Sequence, residues 1–203
     1  GTEIDGLWKF NVKEKTFSKY IFNADNNFDK EIGSIQSFYK ARDGKIWMAS
    51  FNTLSSLDPK KRELKSYIEF PIMAEERYGK PTFVNGSVIE DQDGLIWSGF
   101  YGGEEGLFCL NPTTESFQQY NLFPEKPKES NYNKLHALYE DRSGIIWIGT
   151  WGSGCMKLDR RKNKFQVLRS DPNNLSNSLS HSSVYSVIYD SKGFIWFCTR
   201  TAL

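Results

Sequence analysis

Ser143-Gly144-Ile145-Ile146-Trp147-Ile148-Gly149-Thr150 is the stretch whose reading decides the fold, because it recurs. Asp43-Gly44-Lys45-Ile46-Trp47 and Asp93-Gly94-Leu95-Ile96-Trp97 precede it, and Lys192-Gly193-Phe194-Ile195-Trp196 follows. The tryptophans are 50, 50 and 49 residues apart. A fixed period of that size marks a solenoid, a propeller or an array.

Outward from each anchor the same segments return. Upstream lies an apolar strand A: Ile35 to Tyr39; Phe83, Val84 and Val88 to Ile89; Leu135 to Tyr139; Val184 to Tyr189. Asp91, Asp141 and Asp190 stand three residues before the anchor glycine, with Ala41 in the first copy. Asp near Gly favours a tight turn, since the carboxylate accepts backbone N–H groups and Gly tolerates positive φ. Strand B then carries the Ile-Trp pair.

Downstream comes strand C, ending in Asp or Asn. Its copies are Gly6 to Asn11, Leu54 to Asp58, Gly106 to Asn111 and Gly154 to Asp159. A polar turn leads to strand D, with Phe17/Tyr20, Leu64/Tyr67, Phe117/Tyr120 and Phe165/Leu168. Ile and Trp are neighbours and point to opposite faces of strand B. Both are large and apolar, so the sheet is expected to be buried on both faces. Four-stranded sheets stacked radially meet that demand, which reads as a β-propeller with one period per blade. A β-sandwich is the competing fold and leaves the four matched periods unexplained.

The fold class expected is therefore all-β: a β-propeller segment of four-stranded antiparallel blades, about four blade equivalents with half blades at both ends. The boundaries are a half blade at 1–22, blades at 34–68, 83–121 and 134–169, and a half blade at 183–203 of a single 1–203 segment. The last strand B can pair with the first strand C and close a small ring. The preferred expectation is a piece of a larger propeller, since the chain opens on Gly1 rather than Met. If it stands alone, copies are expected to associate through their unpaired edges.

The bulk composition narrows the function. In 203 residues, 26 Lys and Arg balance 25 Asp and Glu to a net charge of +1. That balance excludes a basic nucleic-acid-binding surface. No apolar run reaches the roughly 18 residues that would cross a bilayer, so no membrane contact is expected within the segment. Cys109, Cys155 and Cys198 have neither zinc nor disulfide spacing and read as small buried apolar residues.

At these residues the chain resembles the two-component regulator propeller repeat family. The family pattern is an Asp-x-x-Gly turn, Leu/Ile-Trp-Ile-Gly-Thr, Gly-Leu-x-x-(Leu/Tyr)-(Asp/Asn)-Pro and Phe-x-x-Tyr. Gly144 to Thr150 with Gly154 to Asp159 matches almost fully, and Gly94 to Gly99 with Gly106 to Tyr120 nearly so. Gly44 to Ala49 and Gly193 to Thr199 are looser, and Asn11-Val12 and Asp159-Arg160 lack the proline. The resemblance implies the extracytoplasmic sensing region of a hybrid two-component sensor histidine kinase, periplasmic or otherwise outside the cytoplasm. Many such sensors, particularly in gut Bacteroidetes, detect oligosaccharides.

A residue type repeated in every blade is scaffold, so the functional candidates are those found once. By that test the Glu90-Asp91 and Glu140-Asp141 pairs, which superficially suit glycosidase chemistry, are scaffold. The irregular residues fall in the D-to-A connections (Ile21 to Ser34, Ile68 to Thr82, Asn121 to Lys134, Arg169 to Ser183) and the B-to-C loops, which share one face. The ligand-binding candidates there are Arg77, Tyr78, Tyr101, Glu104, Glu105, Tyr132, Trp151 and His181. Aromatic rings beside hydroxyl-binding polar groups suit sugars. Capping of neighbouring blade tops is the alternative role for Tyr101 and Trp151. His136 in strand A reads as a lining or packed residue. The runs Lys60-Lys61-Arg62 and Arg160-Arg161-Lys162 read as solvated turns.

No catalytic residue, metal site or cofactor is expected. The expected partners are an oligosaccharide and a neighbouring propeller or second copy. A propeller lyase or glycosidase and a protein-interaction scaffold are the rival functions.

Overall fold

The computed structural model describes residues 7–20, 35–50, 53–69, 87–99, 106–120, 122, 135–161 and 164–200. The chain divides into two compact units, Gly1–Val84 and Asn85–Leu203.

In the first unit β1 (Trp8–Asn11) and β2 (Thr16–Lys19) form a two-stranded sheet. β3 (Ile35–Lys40), β4 (Ile46–Ser50), β5 (Thr53–Asp58) and β6 (Glu63–Glu69) form a four-stranded sheet in chain order. The second unit holds two more such sheets. One comprises β7 (Ser87–Glu90), β8 (Ile96–Gly99), β9 (Leu107–Asn111) and β10 (Ser116–Tyr120). The other comprises β11 (Leu135–Glu140), β12 (Ile145–Thr150), β13 (Cys155–Asp159) and β14 (Lys164–Leu168). β15 (Val184–Tyr189) and β16 (Ile195–Thr199) end it as a pair. Every pairing is antiparallel. The chain is thus a β-propeller segment of four-stranded blades with a two-stranded half blade towards either end.

The repeated residues make these strands for a physical reason visible in the second unit. Asp91 Oδ1 accepts the N–H groups of Asp93 and Leu95, both at 2.9 Å. Its Oδ2 accepts the indole N–H of Trp97 at 2.6 Å. Asp141 repeats this on Ser143, Ile145 and Trp147, and Asp190 on Lys192, Phe194 and Trp196. One carboxylate closes the A-to-B turn and fixes the tryptophan six residues on. The glycine inside the turn sits at φ +77 in Gly144, a conformation that L side chains rarely adopt. Where Ala41 replaces the aspartate the backbone turn persists, Gly44 N–H donating to the Ala41 carbonyl at 3.0 Å. There Asp43 Oδ1 accepts the Lys45 N–H, and Trp47 is instead held by the ring of Tyr67, 4.9 Å away.

Burial of both faces holds in the full blades. Met48, Ile96, Trp97, Ile146 and Ile148 are buried, as is Trp47. Trp147 is half-buried, because Leu168 stands where Tyr67 and Tyr120 cover the tryptophan in the other blades. Trp196 departs from the expectation and is exposed. Among the described residues only β15 pairs with β16, in a two-stranded sheet.

Within the second unit, strands A pack in succession: β7 contacts β11 and β11 contacts β15. β10 and β14 lie at the far edges of their sheets and are largely solvent-facing. The Ile-Gly-Thr glycine is where one blade meets the next. A Cβ on Gly99 would lie 2.6 Å from Leu135, and one on Gly149 would lie 2.9 Å from the Val184 carbonyl. The motif therefore encodes blade stacking as well as strand B.

Candidate functional site

The loop after β12 is built by the last residue of the repeated motif. Thr150 Oγ1 donates to the Gly154 carbonyl at 2.7 Å and accepts the Ser153 N–H at 3.0 Å. This tight loop presents Trp151, whose backbone bridges Ser183 antiparallel. The facing connection, 169–183, carries a 3-10 turn at Leu175–Asn177 and a parallel bridge from Ser170 to Leu179. Gly154 N–H donates to the Ser182 carbonyl at 2.6 Å, so the two loops are fastened together.

Trp151 meets two rings. His136 lies 5.0 Å away, and Tyr185 packs edge-on at 5.8 Å. His136 and Tyr185 themselves meet edge-on at 5.5 Å. Both sit at β-bulges, between Leu135 and Ala137 in β11 and between Val184 and Ser186 in β15. A bulge re-aims a side chain and is common beside binding sites. The same irregularity falls at Gln36 in β3. The bulge is scaffold, then, while the residue it directs differs from copy to copy. All three rings of the cluster are half-buried. Burial pulls the His136 pKa below the usual 6.5, which favours the neutral imidazole. The cluster offers aromatic faces and one polar ring.

Of the residues singled out from sequence, Trp151 and His181 lie among those described. His181 Nδ1 accepts the N–H of Ser183, the residue that bridges Trp151. It therefore belongs to the same loop assembly. Arg77, Tyr78, Tyr101, Glu104, Glu105 and Tyr132 lie outside the described residues. Tyr185 is missing from that set because it looks like one more aromatic in a strand. The available signal was variation: Gln36, His136 and Tyr185 differ at one repeat position, each after an apolar residue and before a small one.

In each acidic pair at least one member, Asp91 or Glu140, is tied into contacts between blades. Glu140 Oε2 accepts the Gln92 N–H at 2.8 Å, and Oε1 faces Arg160 Nη2 at 3.3 Å. Arg160 Nη1 also donates to Asp91 Oδ2 at 2.6 Å and Asp93 Oδ2 at 2.8 Å. Arg160 is thus no solvated turn residue. It crosses from the third blade to the second and neutralises a carboxylate buried by the stacking. The clue was its place, where Pro59 and Pro112 stand in the other copies. Arg161 does face solvent.

Cys109 and Cys155 are buried, and burial pushes each thiol up to about 12. Cys198 contradicts the reading of all three as buried: it lies on β16, whose paired strand among the described residues is β15 alone, and is exposed. Among the described residues no group of three or more His, Cys, Asp or Glu is placed to hold a metal ion. None of their helices is long and apolar enough to cross a membrane.

The model of the two component regulator propeller family matches residues 129–152 and 178–201. No curated protein matches the chain. Among solved structures, it resembles the extracellular domain of a hybrid two component system from B. thetaiotaomicron at 21% identity and TM-score 0.72, covering 97% of this chain and 24% of that one. A second B. thetaiotaomicron extracellular domain of that kind matches at 21% and 0.51, covering 98% and 30%. Virginiamycin B lyase from Staphylococcus aureus matches at 14% and 0.59, covering 83% and 50%. At such identities these likenesses concern the fold, and the chain spans about a quarter to a half of the proteins it matches. The family match falls on strands A and B of two successive copies, each carrying the Trp-to-Asp hydrogen bond, so in these two stretches the chain is similar to two-component regulator propeller repeats.

Proposed function

We propose that the chain is part of the extracytoplasmic sensing region of a hybrid two-component system, binds an oligosaccharide and is not itself catalytic. The observation that carries this reading is the family match on the two strand pairs whose loops bring Trp151, His136 and Tyr185 together. The fold likeness to two extracellular domains of hybrid two-component systems supports it.

Half-exposed aromatic rings stack on the C–H faces of sugars while loop polar groups take hydroxyls. Signalling then requires that the sugar favour one of two arrangements of the longer receptor. A parent polypeptide with a membrane helix and a histidine kinase would carry that difference inward. The tying of Asp91, Asp141 and Glu140 into hydrogen bonds and ion pairs supports a binding role over glycosidase chemistry.

Binding of a glycan panel by the purified chain, compared with Trp151→Ala, tests the reading. The expected result is binding of at least one oligosaccharide, weakened about tenfold or more in the variant, with the glycan recovered unchanged. Turnover would establish the enzyme reading instead. Absence of binding across the panel would favour a protein-interaction scaffold.

A further inference from the structure

The loop that carries Trp151 is fastened to the 169–183 connection at one short run, His181-Ser182-Ser183. The Ser182 carbonyl accepts the Gly154 N–H at 2.6 Å, closing the connection onto the loop. Ser182 Oγ accepts the Ser170 N–H at 3.2 Å, which ties the connection to its own start. Ser183 bridges Trp151, and its carbonyl accepts the Arg200 N–H at 3.2 Å. Ser183 is 4% exposed, so its own N–H must be met inside the protein. The acceptor is Nδ1 of His181, at 2.9 Å. An imidazole accepts at Nδ1 only while that nitrogen carries no proton. Histidine is also the ordinary side chain whose charge changes between about pH 5 and 8. The bond on which the run depends is therefore one that acid removes.

We infer that His181 is a proton-operated clasp on the Trp151 loop, closed while the imidazole is neutral and released when it is protonated. Protonation turns Nδ1 from an acceptor into a donor and sets two N–H groups against each other. The Ser183 N–H then lacks its acceptor in a buried place, and the run must move to hydrate it. Moving Ser183 breaks its bridge to Trp151, and moving Ser182 releases Gly154. The titratable and charged groups on the elements around the run are Arg169 and Asp171 in the connection, Arg200 after β16, His136 on β11 and Tyr185 on β15. Residues 151–154 add none. Asp171 serves its own turn, its Oδ1 accepting the Asn173 N–H at 2.9 Å. That contact has the same two-residue reach as His181 to Ser183, made by a shorter side chain. The last step rests on the sugar-binding reading: opening the clasp dismantles the aromatic platform, so acid weakens the hold on the glycan. The sensing region then answers to protons as well as to its sugar.

Amide hydrogen exchange of the whole chain, without ligand, tests the clasp separately from the sugar reading. It is compared at about pH 8 and about pH 5, corrected for intrinsic rates. On acidification the Gly154 and Ser183 amides of the wild type should lose protection about fivefold or more, while the β12–β13 ladder keeps its own. His181→Asn supplies an amide oxygen with the reach that Asp171 shows and does not titrate. It should hold the clasp shut at both pH values. His181→Ala has no acceptor and should show the acid behaviour already at the higher pH. Unchanged wild-type protection would overturn the proposal. So would full protection in His181→Ala at the higher pH, or an acid response that survives in His181→Asn and so belongs to His136. With a glycan from the panel, wild-type affinity should fall about fivefold or more in acid, and that of His181→Asn should not; equal wild-type affinity at both pH values would overturn the last step. Exchange that behaves as expected beside no glycan binding would remove the sugar reading and leave the clasp standing.

Discussion

A single carboxylate does three jobs in each copy that has it, which makes Asp141 the most informative residue to change. Asp141→Ala removes the Trp147 indole partner and the acceptor for two turn N–H groups. At about 1 kcal/mol per hydrogen bond, the expected loss is about 2–3 kcal/mol in denaturant unfolding. Asp190→Ala should cost less, because its bond to Trp196 is solvent-exposed. Equal losses would mean that burial does not strengthen the bond.

At the same scale, His136 sets a pH dependence. Its folded pKa is below the ordinary 6.5, so in the window between the two values the unfolded chain binds a proton that the folded chain does not. Stability from this group is full above 6.5, falls as pH drops through that window, and levels off once the folded ring is protonated. His136→Gln should unfold with a weaker acid dependence than wild type, measured by urea midpoints between pH 7.5 and 5.

The elements are held together at two kinds of contact between blades. One is apolar and close: Gly149 lets β15 approach β12 until only a hydrogen fits between them. Gly149→Val should destabilise the second unit by about 1–3 kcal/mol, the cost of forcing extra carbons into packed space, and calorimetry would register it as a lowered melting temperature. The other is charged. Arg160→Ala leaves Asp91 and Glu140 buried beside each other without their cation. An orphaned buried charge costs about 3 kcal/mol or more. The double variant Arg160→Ala/Glu140→Gln should recover part of that loss, because it removes one of the stranded carboxylates. No recovery would mean that Arg160 acts through packing alone.

At the scale of the whole molecule, equivalent positions of the repeat differ in exposure. Trp47 and Trp97 are buried while Trp196 in β16 is exposed, and Leu57, Leu110 and Leu158 are buried while Phe10 in β1 is exposed. The buried copies stand in four-stranded sheets, whereas among the described residues β1–β2 and β15–β16 are two-stranded. Exposure of a repeat position therefore follows the sheet it stands in and not the residue type.

Much of this was legible before any coordinates. The period, the four strands per blade, the Asp-x-x-Gly turn and the separation of scaffold from variable residues follow from local chemistry: side-chain alternation in strands, positive φ at glycine, and a carboxylate within reach of its own turn. These depend on neighbours a few residues away, so the order of residues contains them. Arg160 and Tyr185 were not legible. Arg160 reads as a turn residue until the second blade brings Asp91 and Asp93 to it from 69 and 67 positions away. Tyr185 reads as a strand aromatic until a bulge turns it towards Trp151. Cys198 and Trp196 read as core, yet both are exposed on β16, whose paired strand among the described residues is β15 alone. Charge pairing, ring clustering and burial are properties of surfaces brought together by packing, and for them only the folded arrangement of blades supplies the partner.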